Sequence, residues 1–406
     1  MISIFRRNDA PALFTADDTR RNIRRFLVVR ATFDFSLWLP IWILFLHDDL
    51  GLSFTTIMIL DAIYQAQIVL FEVPTGMLAD RIGRKPVILL SIVSMAISLF
   101  LFGMATSAVW IFASFFAWAL SVASFNGTDS AFLYESLVAA DRGQDFPRVL
   151  GRITTAGLAG SVIAMIIGGW LATFGYRVPI FVHVALFPIA IVAALLMREP
   201  PRTEDMVTRP REAMRSLRDL LRRGVRFRTL LAYSASVHVV FFMVIVYKQP
   251  LLVQNGIPPE ILGWVYAASS LFAAGGPLVL TSLRLRYGTW RTLRTAALSV
   301  GITCVAIYFT PGAWLLMPIL LTEFLISGIR PVVIDGLNEL AGPRGRATVL
   351  SLRGIVDAGV AGPMEIASGW FADRVPLRQL FLACAVGVPS VVGVLNRFWR
   401  RGTAES

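Results

Sequence analysis

Gly76-Met77-Leu78-Ala79-Asp80-Arg81-Ile82-Gly83-Arg84-Lys85 is the stretch that decides how this chain folds. It sets an acid, three cations and two glycines between two apolar runs, 54–79 and 86–106. A hydrocarbon core about 30 Å thick takes roughly 20 apolar residues per helix, so each run is long enough to cross a membrane. The charged decapeptide between them is then a tight turn at one membrane face.

The same pattern recurs through all 406 residues, of which 56% are hydrophobic and only 16% charged, a balance that leaves too little charge to cover a water-soluble domain of this size. Twelve stretches have spanning length: 26–46, 54–79, 86–106, 109–133, 153–174, 178–197, 229–252, 260–283, 292–310, 313–336, 347–371 and 376–396. An even number puts both termini on one side. On the side opposite the decapeptide the connecting loops hold only Arg177, Arg374 and Arg378, and nearly all other Lys and Arg fall on the decapeptide's side. Positive loops stay in the cytoplasm, so the decapeptide and both termini are expected there. The net charge of +12 then faces an anionic leaflet and calls for no nucleic-acid partner. No cleavable leader precedes the first run, which reads as a signal anchor in a bacterial cytoplasmic (inner) membrane. Cys304 and Cys384 lack metal-ligand spacing and read as small core residues.

The chain divides in two. Residues 1–197 form an N-terminal six-helix bundle, 198–228 a polar linker, and 229–406 a C-terminal six-helix bundle. The linker carries an amphipathic segment, 211–223, with Met214, Leu217, Leu220 and Leu221 on one face and arginines elsewhere, suited to lying on the inner leaflet. The halves repeat each other. Glu135 with Arg142-Gly143 answers to Glu339 with Arg344-Gly345, Ala156-Gly157-Leu158-Ala159-Gly160 to Ala358-Gly359-Val360-Ala361-Gly362, and Gly169-Trp170 to Gly369-Trp370. Matched elements in the same order at a near-constant offset indicate duplicated bundles around a central cavity.

The order Gly76, Leu78, Asp80, Arg81, Gly83, Arg84, Lys85 resembles the cytoplasmic signature loop of the major facilitator superfamily. That resemblance implies an all-α integral membrane protein with 12 transmembrane helices in two pseudo-symmetric bundles. It implies that the glycine lets helices 2 and 11 approach, that Asp80 faces the N-terminus of helix 11, and that the arginines pair with Glu135 at the foot of helix 4, with Arg142 completing the gate. In the second copy, Arg284-Leu285-Arg286-Tyr287-Gly288, Leu285 replaces the aspartate and a weaker clasp is expected. In style the chain is similar to the drug:proton antiporter or multidrug efflux group. It departs from that group at Ala123, where an arginine is usual before the step answering to Asn126-Gly127, and at Ala164-Met165, where a glycine-proline element is usual; Gly362-Pro363 supplies such an element in the other half.

Charges inside apolar runs cost about 3 kcal/mol each and ask for a role. Arg30, Asp34, Trp38 and Trp42 recur every four residues along helix 1, one of the helices that line the cavity in the family. Asp34, paired with Arg30, is the first choice for proton coupling. Asp129 beside Asn126, and Glu323 with Arg330 two turns apart, extend the charge network. A seam between helices 2 and 11 offers two tiers of acids, Glu72 with Asp357 and Asp61 with Glu365, that would take up and lose protons as the bundles rock; the alternative is that Asp61 and Glu365 reach outer water. Trp38, Trp42, Phe115, Trp118, His238, Phe241 and Phe242 give a cavity suited to an amphipathic, cationic organic solute, or else they are packing. Lys248 sits where it can snorkel to the outer surface.

The expected function is secondary active transport by alternating access, with proton-coupled export of lipophilic or amphipathic small molecules. Proton-coupled uptake of a metabolite and lipid translocation are the alternatives. The expected partners are a small-molecule substrate, protons and the bilayer, with the protein a monomer. No cofactor or metal is expected. An embedded enzyme is disfavoured because His47, His183 and His238 are scattered and no nucleotide-binding or paired-histidine motif occurs. A sensor of the same fold would need a soluble domain that the short loops do not supply.

Overall fold

The computed structural model describes residues 14–201, 224–341 and 346–404. The amphipathic segment 211–223 and the expected Arg344-Gly345 match lie outside the described residues. The described chain is all-helical. Ten stretches are long and apolar enough to cross a membrane: Phe54–Ile82, Arg84–Met104, Ala108–Val138, Gly143–Phe174, Arg177–Leu196, Val225–Gln254, Pro259–Tyr287, Thr289–Phe309, Gly312–Ala341 and Leu377–Arg401. Of the two remaining expected spans, 26–46 is broken, and 347–371 is helical but carries charges that lower its hydropathy.

The first of these, 26–46, is not one helix. Helix α1 (Ala16–Asp34) begins ten residues before the apolar run, behind a capping box in which Thr15 and Asp18 satisfy each other's backbone N–H. It stops at Asp34. Residues 35–41 turn irregularly through Pro40, which has no N–H to continue a helix, and a short α2 (Trp42–Leu44) resumes before a π turn at Phe45–Asp49. Trp38 and Trp42 therefore do not extend a helical stripe from Arg30 and Asp34. The single span expected at 109–133 is likewise divided at Asn126-Gly127, where Gly127 takes φ +77.

The N-terminal half continues with α3 (Phe54–Ile82), α4 (Arg84–Met104), α5 (Ala108–Phe125), α6 (Thr128–Val138), α7 (Phe146–Leu171), α8 (Arg177–Val184) and α9 (Phe187–Leu196). The C-terminal half has α10 (Val225–Gln254), α11 (Pro259–Tyr287), α12 (Thr289–Phe309), α13 (Leu316–Ala341), α14 (Arg346–Ala372) and α15 (Leu377–Ala404). Each half packs mainly on itself, and two long crossings join them, α3 with α14 and α7 with α11.

The repeat explains both crossings. A Cβ on Gly369 of α14 would stand 2.7 Å from the Phe54 carbonyl of α3, and one on Gly169 of α7 would stand 2.7 Å from the Gly263 amide of α11. The two matched glycines thus each mark a close approach between the halves, one from each half, as small residues do in lipid, and Gly263 of α11 joins Gly169 at its crossing. Both lie at the end of the molecule away from Gly76–Lys85, here termed the far end. Towards the signature-loop end the same helices part: Glu72, Val73, Pro74, Gly76 and Met77 of α3 are exposed, as are Gly354, Gly359 and Val360 of α14.

Candidate functional site

Parting of the helices leaves a central chamber of about 940 Å³. One wall is α3, with Gln65, Ile68, Val69, Glu72 and Val73; the others are α10 (His238, Phe241), α13 (Arg330, Val333) and α14 (Arg353, Asp357, Glu365). Of the aromatic residues expected here, His238 and Phe241 line the chamber. Trp42, Phe115 and Phe242 are buried and do not line it. Trp38 and Trp118, in edge contact at 4.7 Å, line a separate crevice of about 290 Å³ with Arg30 and Asp34.

In that crevice Arg30 holds two carboxylates at once, Asp34 at 2.7 Å and Asp129 at 3.0 Å. The break after Gly127 brings Asp129 to the start of α6, where it meets α1. One guanidinium against two acids leaves a net negative charge in a half-buried site.

Glu323 and Arg330 do not form a network. Lys248 takes Glu323 at 2.6 Å, rests 3.8 Å from the centre of the Tyr266 ring, and is only 2% exposed. The expected snorkelling of Lys248 is thus overturned: with a carboxylate and an aromatic face beside it, the ammonium stays inside. Arg330 instead faces the chamber.

The seam acids separate by tier. Asp61 and Glu365, 7% and 3% exposed, are both buried at the α3–α14 crossing, where Glu365 lies within reach of the charge of Asp61. They do not reach outer water. Asp61 Oδ2 and Glu365 Oε2 accept no hydrogen bond among the described residues. Glu72 and Asp357 stand apart on different walls. Glu72 accepts from Asn126 at 3.5 Å, while Asp357 is held by Arg353 at 3.2 Å and Ser234 at 3.2 Å.

Two devices that the sequence reading did not single out seal the far end. Gln249 of α10, wholly buried, donates to the Leu39 carbonyl and accepts from the Ile43 amide, satisfying backbone groups freed by the break between α1 and α2. Its signal was a polar Lys248-Gln249-Pro250 inside an apolar run. Asp373, just past α14, accepts from the Phe54 and Thr55 amides at 2.8 and 3.0 Å and so caps α3 from the other half. Burial pushes its carboxyl up, but bonds from the Thr55 side chain and amide and the Phe54 amide, with His47 nearby, outweigh that and hold it below the ordinary value.

At the signature loop, Arg84 pairs with Asp80 at 2.9 Å and with Glu135 at 3.3 Å, as the resemblance implied for the arginine and the acid. Arg142 goes to Asp145 at 2.8 Å. Gly76 has open space around it, since α14 lies away from it here. Glu199, also missed, binds the Arg84 and Lys85 amides at 2.5 and 2.8 Å at the start of α4. Gly83 permits this with φ +108 and no Cβ, which would stand 2.6 Å from the Glu199 carboxylate. In the second copy, Arg284 bridges Asp335 and Glu339. The clasp survives without an aspartate at Leu285 because the cation comes from one turn earlier.

The sequence profile of the Major Facilitator Superfamily matches residues 26–363. The uncharacterized MFS-type transporter YceJ of Bacillus subtilis (strain 168) is 25% identical over 328 residues, covering 80% of this chain and 82% of that protein. Multidrug resistance protein 1 of the same organism is 28% identical over 159 residues, 39% of this chain and 40% of its own. The nucleoside transporter NupG superposes with a TM-score of 0.75 at 14% identity, over 94% of this chain and 99% of that one. A bacterial homolog of the human lysosomal transporter Spinster, in an inward-facing and unoccupied conformation, gives 0.72 at 17% identity over 95% and 93%. With the profile spanning both halves and the fold shared along nearly the whole length, the chain belongs to the Major Facilitator Superfamily.

Proposed function

We propose that this transporter exports lipophilic or amphipathic small molecules in exchange for protons, by alternating access. The carrying observation is the chamber itself, closed at the far end by contacts between halves and open towards the signature loop. In this reading α1–α2 and α14 complete twelve crossings, with bundles 1–197 and 229–406 and both termini in the cytoplasm of a bacterial inner-membrane protein that acts as a monomer. The chamber is then inward-open. The partial match to a multidrug resistance protein favours export over uptake.

Protons would be handled at two places. Asp61 and Glu365 pair across the seam with no cation between them among the described residues, so closing the far end requires a proton on the pair; parting the halves towards the outside frees each acid to exchange with outer water. Asp34 and Asp129, sharing Arg30, would couple within the N-terminal half. Everted vesicles test this: an imposed proton gradient drives accumulation of a labelled amphiphile by the parent. Asp61→Asn and Asp34→Asn are each expected to abolish gradient-driven accumulation while sparing counterflow. Full gradient-driven accumulation by both variants would refute the coupling assignment.

A further inference from the structure

Arg330 stands on the chamber wall, two turns beyond Glu323 but pointing to a different space. It is exposed to the chamber and forms no ion pair among the described residues. Its neighbours are also positive or neutral bases: His238 and Arg353 both lie within its electrostatic reach. The carboxylates that line the chamber are all placed elsewhere: Asp357 is engaged by Arg353 and Ser234, Glu72 is turned to Asn126, and Glu365 is buried in the α3–α14 crossing. Arg330 is thus a guanidinium facing the chamber without a partner carboxylate among the described residues, with an imidazole beside it. A guanidinium inside a membrane protein, walled by low dielectric, strongly favours an anion within contact.

The opposite wall, α3, is mostly aliphatic. Ile68, Val69 and Val73 of α3 face it, and Phe241 flanks it. Glu72 sits between Val69 and Val73 on that wall and is turned to Asn126 at 3.5 Å.

We infer that the central chamber seats an amphipathic anion, its carboxylate or phosphate held by Arg330 with His238 behind it and its apolar body laid along Ile68, Val69, Val73 and Phe241. This rests on the transport reading above and narrows its substrate class, reversing the cationic preference expected from the aromatic residues. The planar fork of arginine suits a two-oxygen head in a way that a lysine does not.

Pyrenebutanoate and its trimethylammonium analogue share one apolar body and carry opposite heads. Binding of each to the full chain in phosphatidylcholine nanodiscs, read by pyrene fluorescence against empty discs, tests the seat. The anion is expected to bind about tenfold or more tighter than the cation, and Arg330→Gln to remove that preference. Residual binding of the cation by Arg330→Gln shows that the variant is folded, and Arg330→Lys should restore only part of the affinity. A drop in pyrenebutanoate affinity when phosphatidylglycerol is added assigns the seat to a lipid headgroup; no drop assigns it to a free amphiphile; both support an anion site. Equal or tighter binding of the cation, or anion binding indifferent to Arg330→Gln, overturns the inference. Proton-driven uptake of the probes into everted vesicles is read separately. Arg330-dependent anion binding without such uptake supports this seat while sinking the export reading, and cation preference with intact uptake does the opposite.

Discussion

Replacing Gly369 by alanine should push the protein away from the far-end-closed state. The added Cβ would stand 2.7 Å from the Phe54 carbonyl, 2.8 Å from Met58 Cγ and 2.9 Å from Thr55 Cα, against 3.4–4 Å for ordinary contact. Two of those neighbours are backbone at the start of α3, so the seam must widen by about 0.7 Å or lose its packing. Overpacking of this kind costs roughly 1–3 kcal/mol. In the proposed alternating-access cycle the cost falls only on the closed state, because α3 and α14 would separate at this level as the far end opens. A bias of that size multiplies the open-to-closed ratio by about 5–150. Spin labels at Thr106→Cys and Pro311→Cys, in exposed far-end loops of the two halves, would report it as growth of a longer-distance population; the native Cys304 and Cys384 are buried. Gly359→Ala, on the same helix with nothing within 4 Å, is the control and should leave the distances alone. Equal shifts in the two variants, or none in Gly369→Ala, would refute the reasoning.

Three further outcomes follow from the far-end and interior contacts. Asp373→Asn should loosen closure by about 1 kcal/mol or less, given its exposure. Because the closed-state carboxyl sits below its ordinary 3.8, its contribution holds above that value and fades only as pH falls beneath it; label distances that respond to Asp373 between pH 5 and 7 would contradict this. Gln249→Ala strands the Leu39 carbonyl and Ile43 amide at about 1–3 kcal/mol and should speed hydrogen exchange across 36–44, which unchanged protection would disprove. Lys248→Met alone or Glu323→Gln alone should cost about 3–5 kcal/mol in thermal or detergent unfolding, and the double variant less than either. An additive double variant would mean that the two charges are not a pair.

Much of this was legible beforehand where one residue type serves one local need. The signature turn and the pairing of its arginine with Glu135 follow from the family resemblance, the matched Gly169 and Gly369 from the repeat, and the facing of Asp61 and Glu365 from spacing along two helices, where exposure to outer water was the alternative. What escaped was set by breaks in those helices. A straight helix 1 would align Arg30, Asp34, Trp38 and Trp42; Pro40 and the irregular turn before it bury Trp42, keep Trp38 on the crevice with Arg30 and Asp34, and leave bare backbone for Gln249 to occupy. Pairings between distant helices, such as Lys248 with Glu323 or Asp373 with Phe54, depend on register between helices that share no sequence period. Periodicity on one helix cannot supply that register, so the chamber charges were grouped by helix rather than by wall.

The anchorage of residues 198–199 has a mechanical consequence. Arg198 is held by Asn22 and Asp18 at the start of α1, and Glu199 by the amides at the start of α4. The chain leaving the N-terminal half is therefore moored at two points in the first residues of the linker. Any pull transmitted along that segment when the halves swing is borne first by a carboxylate seated on the signature turn, at the hinge side of the clasp formed by Arg84. The connector and the clasp thus share one fastening, and loosening either slackens the other.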